Sequence, residues 1–203
     1  MYPELKATIE RLGTESELIA PERRQLLEAI ATWVDQRLAS NVGADLLFIC
    51  THNSRRSHLA QAWAAAAAVY QGIDGVRCFS GGVEVTEVHL NIVDALIRQG
   101  FIVDGSDGPN PAYMVNIDPE LEPALCWSKL YDDPENPQKD FAAVMVCSDA
   151  EEACPFVAAA DARFSLPYRD PKEADDRPEE QRVYDERSLE IAREMVYLFS
   201  KVK

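Results

Sequence analysis

Positive charge is scarce in this chain. Twenty lysines and arginines stand against 35 aspartates and glutamates, a net charge of −15. A surface of that sign repels nucleic acid and anionic membrane, so neither is expected as a partner. Long apolar runs are missing too. The most apolar stretch, WAAAAAVY, is far shorter than a bilayer requires. The opening residues, MYPELKATIERLGTESEL, hold no apolar segment between a basic start and a small-residue cleavage site. No signal peptide is expected there, and the expected location is the cytoplasm. Histidine is rare, with His52, His58 and His89 at spacings that suit no metal, so no metal centre is expected. Five cysteines (Cys50, Cys78, Cys126, Cys147 and Cys154) make an odd set. In a cytosolic chain that argues against a disulfide framework and leaves reactive thiols, ligands or core positions.

What is present alternates strand with helix. Residues 1–43 read as a helical extension, in which PERRQLLEAIATWVDQRL starts with a helix-opening proline and repeats Leu26, Ile30, Trp33, Val34 and Leu38 at helical spacing. That apolar face must pack on the rest of the chain or on a second subunit. Residues 44–203 read as one α/β catalytic domain. DLLFIC is a continuous apolar run suited to a doubly covered strand. An alanine-rich helix ending at Gly72, a strand in GVRCFSGG, a helix closed by Gly100 and a strand in FIVDG follow. The proline-rich stretch 105–140 reads as an excursion in which LEPALCWSKL adds a strand. DFAAVMVC, ARFSLPYRDP and a long helix from Glu179 to Phe199 complete the pattern. The expected fold is a central parallel sheet of about four strands flanked by helices. Cys50 and Cys147 each end a strand, so both fall at the carboxyl edge where such sheets bind ligands.

Cys50-Thr51-His52-Asn53-Ser54-Arg55-Arg56-Ser57 joins the first of these strands to its helix. A short loop there turns successive amides inward and adds the positive end of the helix dipole, which makes a cradle for a tetrahedral oxyanion. Arg56 closes it with a two-pronged donor. The same field favours the thiolate of Cys50, since cysteines at helix N-termini fall from about 8.5 to roughly 3.5–7.5. Ser57 donates to that sulfur or caps the helix. Asn53 suits a left-handed turn in a loop without glycine. Arg55 reads as a solvated residue at the mouth, and His52 and His58 as surface residues. The plain alternative is a buried strand-end cysteine followed by a polar cap.

Six residues separate Cys147 from Cys154, too wide for a CxxC redox pair. Two thiols beside a third suit relay chemistry, in which each attacks the previous disulfide. Core burial of Cys147 with an incidental Cys154 is an equal alternative. Asp170, in Tyr168-Arg169-Asp170-Pro171, is either an acid for a leaving oxygen or an ordinary Asp-Pro turn. Cys78 and Cys126 sit in apolar runs and read as core.

CTHNSRRS resembles the active-site loop of the low-molecular-weight protein tyrosine phosphatases. It resembles still more that of the thioredoxin-coupled arsenate reductases of the same fold. VMVCSDAEEACP resembles the reductases through its cysteine spacing, and YRDP followed by QRVYDER matches the family's end. The resemblance covers about residues 44–200. It implies that Cys50 is the nucleophile and that Thr51 to Ser57 with Arg56 hold arsenate. Asp170 is then the acid, and Cys147 and Cys154 carry the oxidation outward to thioredoxin with no tightly bound cofactor. A potassium site is in doubt, because Gln61 stands where some reductases have glutamate. The runner-up expectation is phosphomonoester hydrolysis on phosphotyrosine. A non-enzymatic oxyanion- or arsenite-binding regulator comes third. A homodimer through the N-terminal helices is one use of the extension.

Overall fold

The computed structural model describes residues 1–153 and 157–203, with the side chains of 151–153 left aside. Its central sheet is fully parallel, in the order β2-β1-β6-β7. The strands are β1 (Ala44–Cys50), β2 (Val76–Gly82), β6 (Phe141–Met145) and β7 (Ala160–Ser165). β1 and β6 are the inner pair, and that position explains their uninterrupted apolar sequences: both faces of each are covered. The helix α3 (Arg56–Tyr70) follows β1 and is buried nearly all round. Its run of alanines permits this, because small side chains let it approach β1, β2 and the C-terminal helix α6 (Glu180–Phe199) together. Trp63 fills the remaining space, edge-on to Phe101 and donating to Ser188 Oγ at 2.9 Å.

The extension forms two helices, α1 (Pro3–Gly13) and α2 (Pro21–Ala39), each opened by proline. Both pack on α6. α1 buries Leu5, Ile9 and Leu12, and it approaches Gly100 so closely that a Cβ there would lie 2.3 Å from the Leu5 nitrogen. α2 buries Leu27, Ile30, Ala31 and Val34. Ile30 and Val34 face inward as expected and Trp33 and Leu38 pack against the core, but Leu26 is exposed and Leu27 is buried in its place. These faces are spent inside the chain.

A second correction concerns FIVDG. The strand β3 (Ile102–Gly105) forms, but it does not join the parallel sheet. It follows α4 (Leu90–Arg98) and pairs antiparallel with β4 (Tyr113–Asn116), which pairs with β5 (Ala124–Cys126). The proline-rich excursion therefore builds its own three-stranded sheet. β3 is short and half exposed, unlike the buried inner strands, and its neighbour in sequence captures it by the shorter loop. β7, from ARFS, supplies the fourth central strand instead. Between β6 and β7 lies the short helix α5 (Ser148–Ala153).

Candidate active site

The loop 51–55 leaves β1 and enters α3 at Arg56. Every one of its five carbonyls is turned outward and engaged. Thr51 O accepts from the amides of Val83 and Glu84, both at 2.8 Å. His52 O accepts from the hydroxyls of Thr86 and Ser128. Asn53 O faces His58 Nε2 at 2.8 Å, Ser54 O takes His89 N–H, and Arg55 O takes Leu59 N–H. With the carbonyls outward, the N–H groups of the same residues face the other way, and none of them finds an acceptor among the described residues. Backbone donors in this state, at the start of a 15-residue helix, form an anion site.

Asn53 holds the loop in shape. Its backbone is left-handed, with φ of 44°, as expected for an asparagine in a glycine-free turn. Its Oδ1 accepts from Lys129 N–H at 2.9 Å, and its Nδ2 donates to Ser57 Oγ at 2.8 Å. Ser57 Oγ lies 3.1 Å from Cys50 Sγ. That oxygen accepts from Asn53 and keeps its single proton available to the sulfur, although either atom of the Ser57–Cys50 contact can be the donor. The Cys50 sulfur can thus act as an acceptor, which suits a thiolate nucleophile. Gly82 closes the loop from behind: a Cβ there would lie 2.7 Å from Asn53 N and 2.8 Å from Thr51 O.

Arg56 is buried. It donates to Tyr168 O at 3.0 Å and to Asp170 Oδ2 at 2.5 Å, while its Nε has no partner among the described residues. A buried guanidinium N–H without an acceptor beside a ring of free amides fits an incoming oxyanion. Asp170 is a turn residue that also reaches the loop. Its Oδ1 caps the 3-10 turn Pro171–Ala174 through Lys172 N–H, and its Oδ2 reaches the loop arginine. The concavity formed by Cys50, His52, Ser54, Arg55, Arg56 and Asp170 is small, and among the described residues no Phe, Tyr or Trp lines it.

Two readings of the loop need correction. Arg55 is not a solvated mouth residue. It donates to Tyr184 OH at 2.6 Å and to Asp175 Oδ2 at 2.7 Å, and Tyr184 OH donates to Asp175 Oδ1 at 2.6 Å. His58 is not at the surface. It is fully buried, with Nδ1 3.0 Å from Ser80 Oγ. Burial, assisted by the Lys129 charge, pushes its pKa down to about 3, so it is neutral and acts as a structural link between loop and β2. His52 lies at the rim, 3.5 Å from Glu84.

Cys147 follows β6, next to β1, and is fully buried. Its sulfur lies 3.5 Å from Thr51 Oγ1 and accepts the Ala150 N–H at 3.3 Å. The two strand-end cysteines therefore share one corner of the site. Cys154 lies outside the described residues. Cys126 is buried core, its thiol pushed up to about 12 by desolvation, and Cys78 is partly buried with its thiol also raised by desolvation. Gln61, at the position relevant to potassium, is buried and donates to Leu125 O at 3.3 Å.

The acid segment is braced from a distance by residues that sequence spacing does not reveal. Tyr168, whose carbonyl receives Arg56, donates its hydroxyl to Glu194 at 2.6 Å. Arg23 of α2 pairs with Glu194 at 2.8 Å and covers the Tyr168 ring at 4.5 Å. The extension thus reaches the site through two contacts.

Comparison with known proteins agrees with this geometry. Residues 45–109 match the family described as low molecular weight phosphotyrosine protein phosphatase. A search of curated protein sequences finds no relative of significant similarity. Among solved structures, a mutant of YwlE from Bacillus subtilis superposes with a TM-score of 0.54 at 17% identity, covering 78% of this chain and 97% of that one. A low molecular weight protein tyrosine phosphatase from T. tengcongensis gives 0.53 at 18% identity, with 78% and 99% covered. A thioredoxin-dependent arsenate reductase from Corynebacterium glutamicum gives 0.40 at 18% identity, with 90% and 92% covered. The fold is that of the low molecular weight protein tyrosine phosphatases, and the segment that matches the family, residues 45–109, contains the whole anion loop.

Proposed function

We propose that this enzyme reduces arsenate to arsenite through a cysteine relay. The observation that carries the proposal is the 3.5 Å contact between Cys147 Sγ and Thr51 Oγ1, which puts a second thiol one residue from Cys50. A phosphatase has no use for a thiol there, whereas a reductase needs one.

In this reading the loop amides and Arg56 Nε bind the arsenate oxygens. The Cys50 sulfur attacks arsenic, and an As–O bond breaks with a proton delivered from Asp170, so that water leaves. Cys147 then attacks the Cys50 sulfur. A sulfur–sulfur bond forms, the arsenic–sulfur bond breaks, and its electron pair stays on arsenic, which departs as arsenite. Cys154 attacks Cys147 in turn, and an external dithiol such as thioredoxin reduces the resulting disulfide.

Phosphomonoester hydrolysis is the second reading, favoured by the match of residues 45–109. It needs only Cys50, Arg56 and Asp170. Among the described residues no Phe, Tyr or Trp lines the concavity, which counts against an aryl phosphate as the preferred substrate. Parallel assays separate the two: thioredoxin oxidation on adding arsenate, and release of phosphate from an aryl phosphate. The proposal expects Cys147→Ser to abolish the first and leave the second. Loss of neither would overturn it.

A further inference from the structure

A cavity of about 450 Å³ lies outside the anion loop, between α3, the open edge of β2 and the excursion that carries β5. Its walls are apolar: Ala65 and Val69 from α3, Val76 and Phe79 from β2, and Leu125 from β5. That volume lies in the range of small-molecule sites. Trp127 and Lys129 complete the lining, with the Lys129 ammonium 3.9 Å from the centre of the Trp127 ring.

Lys129 is 4% exposed. Among the described residues no carboxylate lies within ion-pair distance of its ammonium. The Trp127 ring covers that ammonium, the charges of Asp133 and Glu135 reach it only through space, and burial pushes its pKa down. The other cation of the lining, Arg77, is already held by Asp45 at 2.6 Å. Glu122 and Glu135 line the cavity too, but both are exposed and stand in water. An apolar occupant alone would leave the ammonium without a close counter-charge, and a free phosphate would leave the apolar walls uncovered.

We propose that this cavity is a binding site for a small amphipathic carboxylate, an acid with an aryl or alkyl body. Its carboxylate pairs with Lys129 and its body lies along Trp127, Phe79 and the alanine face of α3. The site is separate from the anion loop, although the two are neighbours: Lys129 N–H holds Asn53 Oδ1.

The test uses full-length protein, with naphthaleneacetate as probe and the uncharged naphthaleneacetamide as its comparison, both titrated by calorimetry. The acid binds saturably and roughly tenfold or more tighter than the amide, the difference that one charge-assisted contact supplies. Lys129→Met removes that difference. Ala65→Phe, which fills the cavity and leaves Lys129 in place, weakens both ligands, while circular dichroism reports an intact fold. Cys50→Ser binds the acid as the parent does. Equal affinity for acid and amide, displacement of the acid by inorganic phosphate, or unchanged binding in Lys129→Met would each overturn the proposal.

Discussion

Ser57 Oγ stands 3.1 Å from Cys50 Sγ while accepting the Asn53 amide at 2.8 Å, so its one proton is available to the sulfur when that sulfur is the nucleophile. Removing the donor tests it. Ser57→Ala deletes the hydrogen bond to the attacking sulfur, worth roughly 1.5–3 kcal/mol if the nucleophile is the thiolate, so the first chemical step slows by about tenfold to a hundredfold. Single-turnover kinetics with arsenate, and with an aryl phosphate, measure that step directly. An unchanged rate would show that Ser57 only caps the helix.

Gly82 is the backstop of the loop. In Gly82→Ala the new methyl meets two backbone atoms, Asn53 N at 2.7 Å and Thr51 O at 2.8 Å, and Thr51 O is held by the amides of Val83 and Glu84. The loop must shift, and misplacement by about 1 Å costs on the order of a hundredfold in rate. The expected result is loss of oxyanion binding and turnover in a folded protein, read by phosphate or arsenate protection against thiol alkylation.

His58 sets a pH dependence of stability. Its folded pKa of about 3 lies below the ordinary value of 6.5. Between those values the unfolded chain binds the proton and the folded one does not. Stability from this group is therefore complete above about pH 6.5 and falls as the pH drops toward 3, by a few kcal/mol at most. Chemical denaturation of the parent from pH 7 to pH 4 should show a steeper decline than His58→Asn. Parallel declines would contradict the assignment.

The brace from the extension is measurable as a coupling. Arg23, Glu194 and Tyr168 form one cluster under the acid segment. Arg23→Ala leaves the buried Glu194 carboxylate without its cation and should cost roughly 3–5 kcal/mol of stability. A double-mutant cycle with Glu194→Gln should recover a large part of that loss. Additive effects would mean that the extension packs on α6 without supporting Tyr168.

The legible parts of this protein are local in sequence. The anion loop announces itself because cysteine, arginine and serine sit within eight residues between a strand and a helix, and the loop's chemistry depends on its own backbone. Cys147 is placed by the same logic, as the end of a second inner strand. What escapes sequence reading depends on distant partners. Arg55 looks solvated until Tyr184 and Asp175 arrive from far along the chain, and His58 looks exposed until Ser80 on β2 covers it. FIVDG has the composition of a central strand, and only its capture by β4 removes it from the parallel sheet. The clash that makes Gly82 necessary carries no sequence signal at all.

The relay itself is tested most directly by trapping it. In the variant Cys154→Ser, treated with one equivalent of arsenate and quenched in acid, the account predicts one arsenite released per chain and a peptide pair joined by Cys50 and Cys147, seen by mass spectrometry. Arsenite released without that disulfide, or no arsenate consumed by a protein that hydrolyses aryl phosphate, would contradict it.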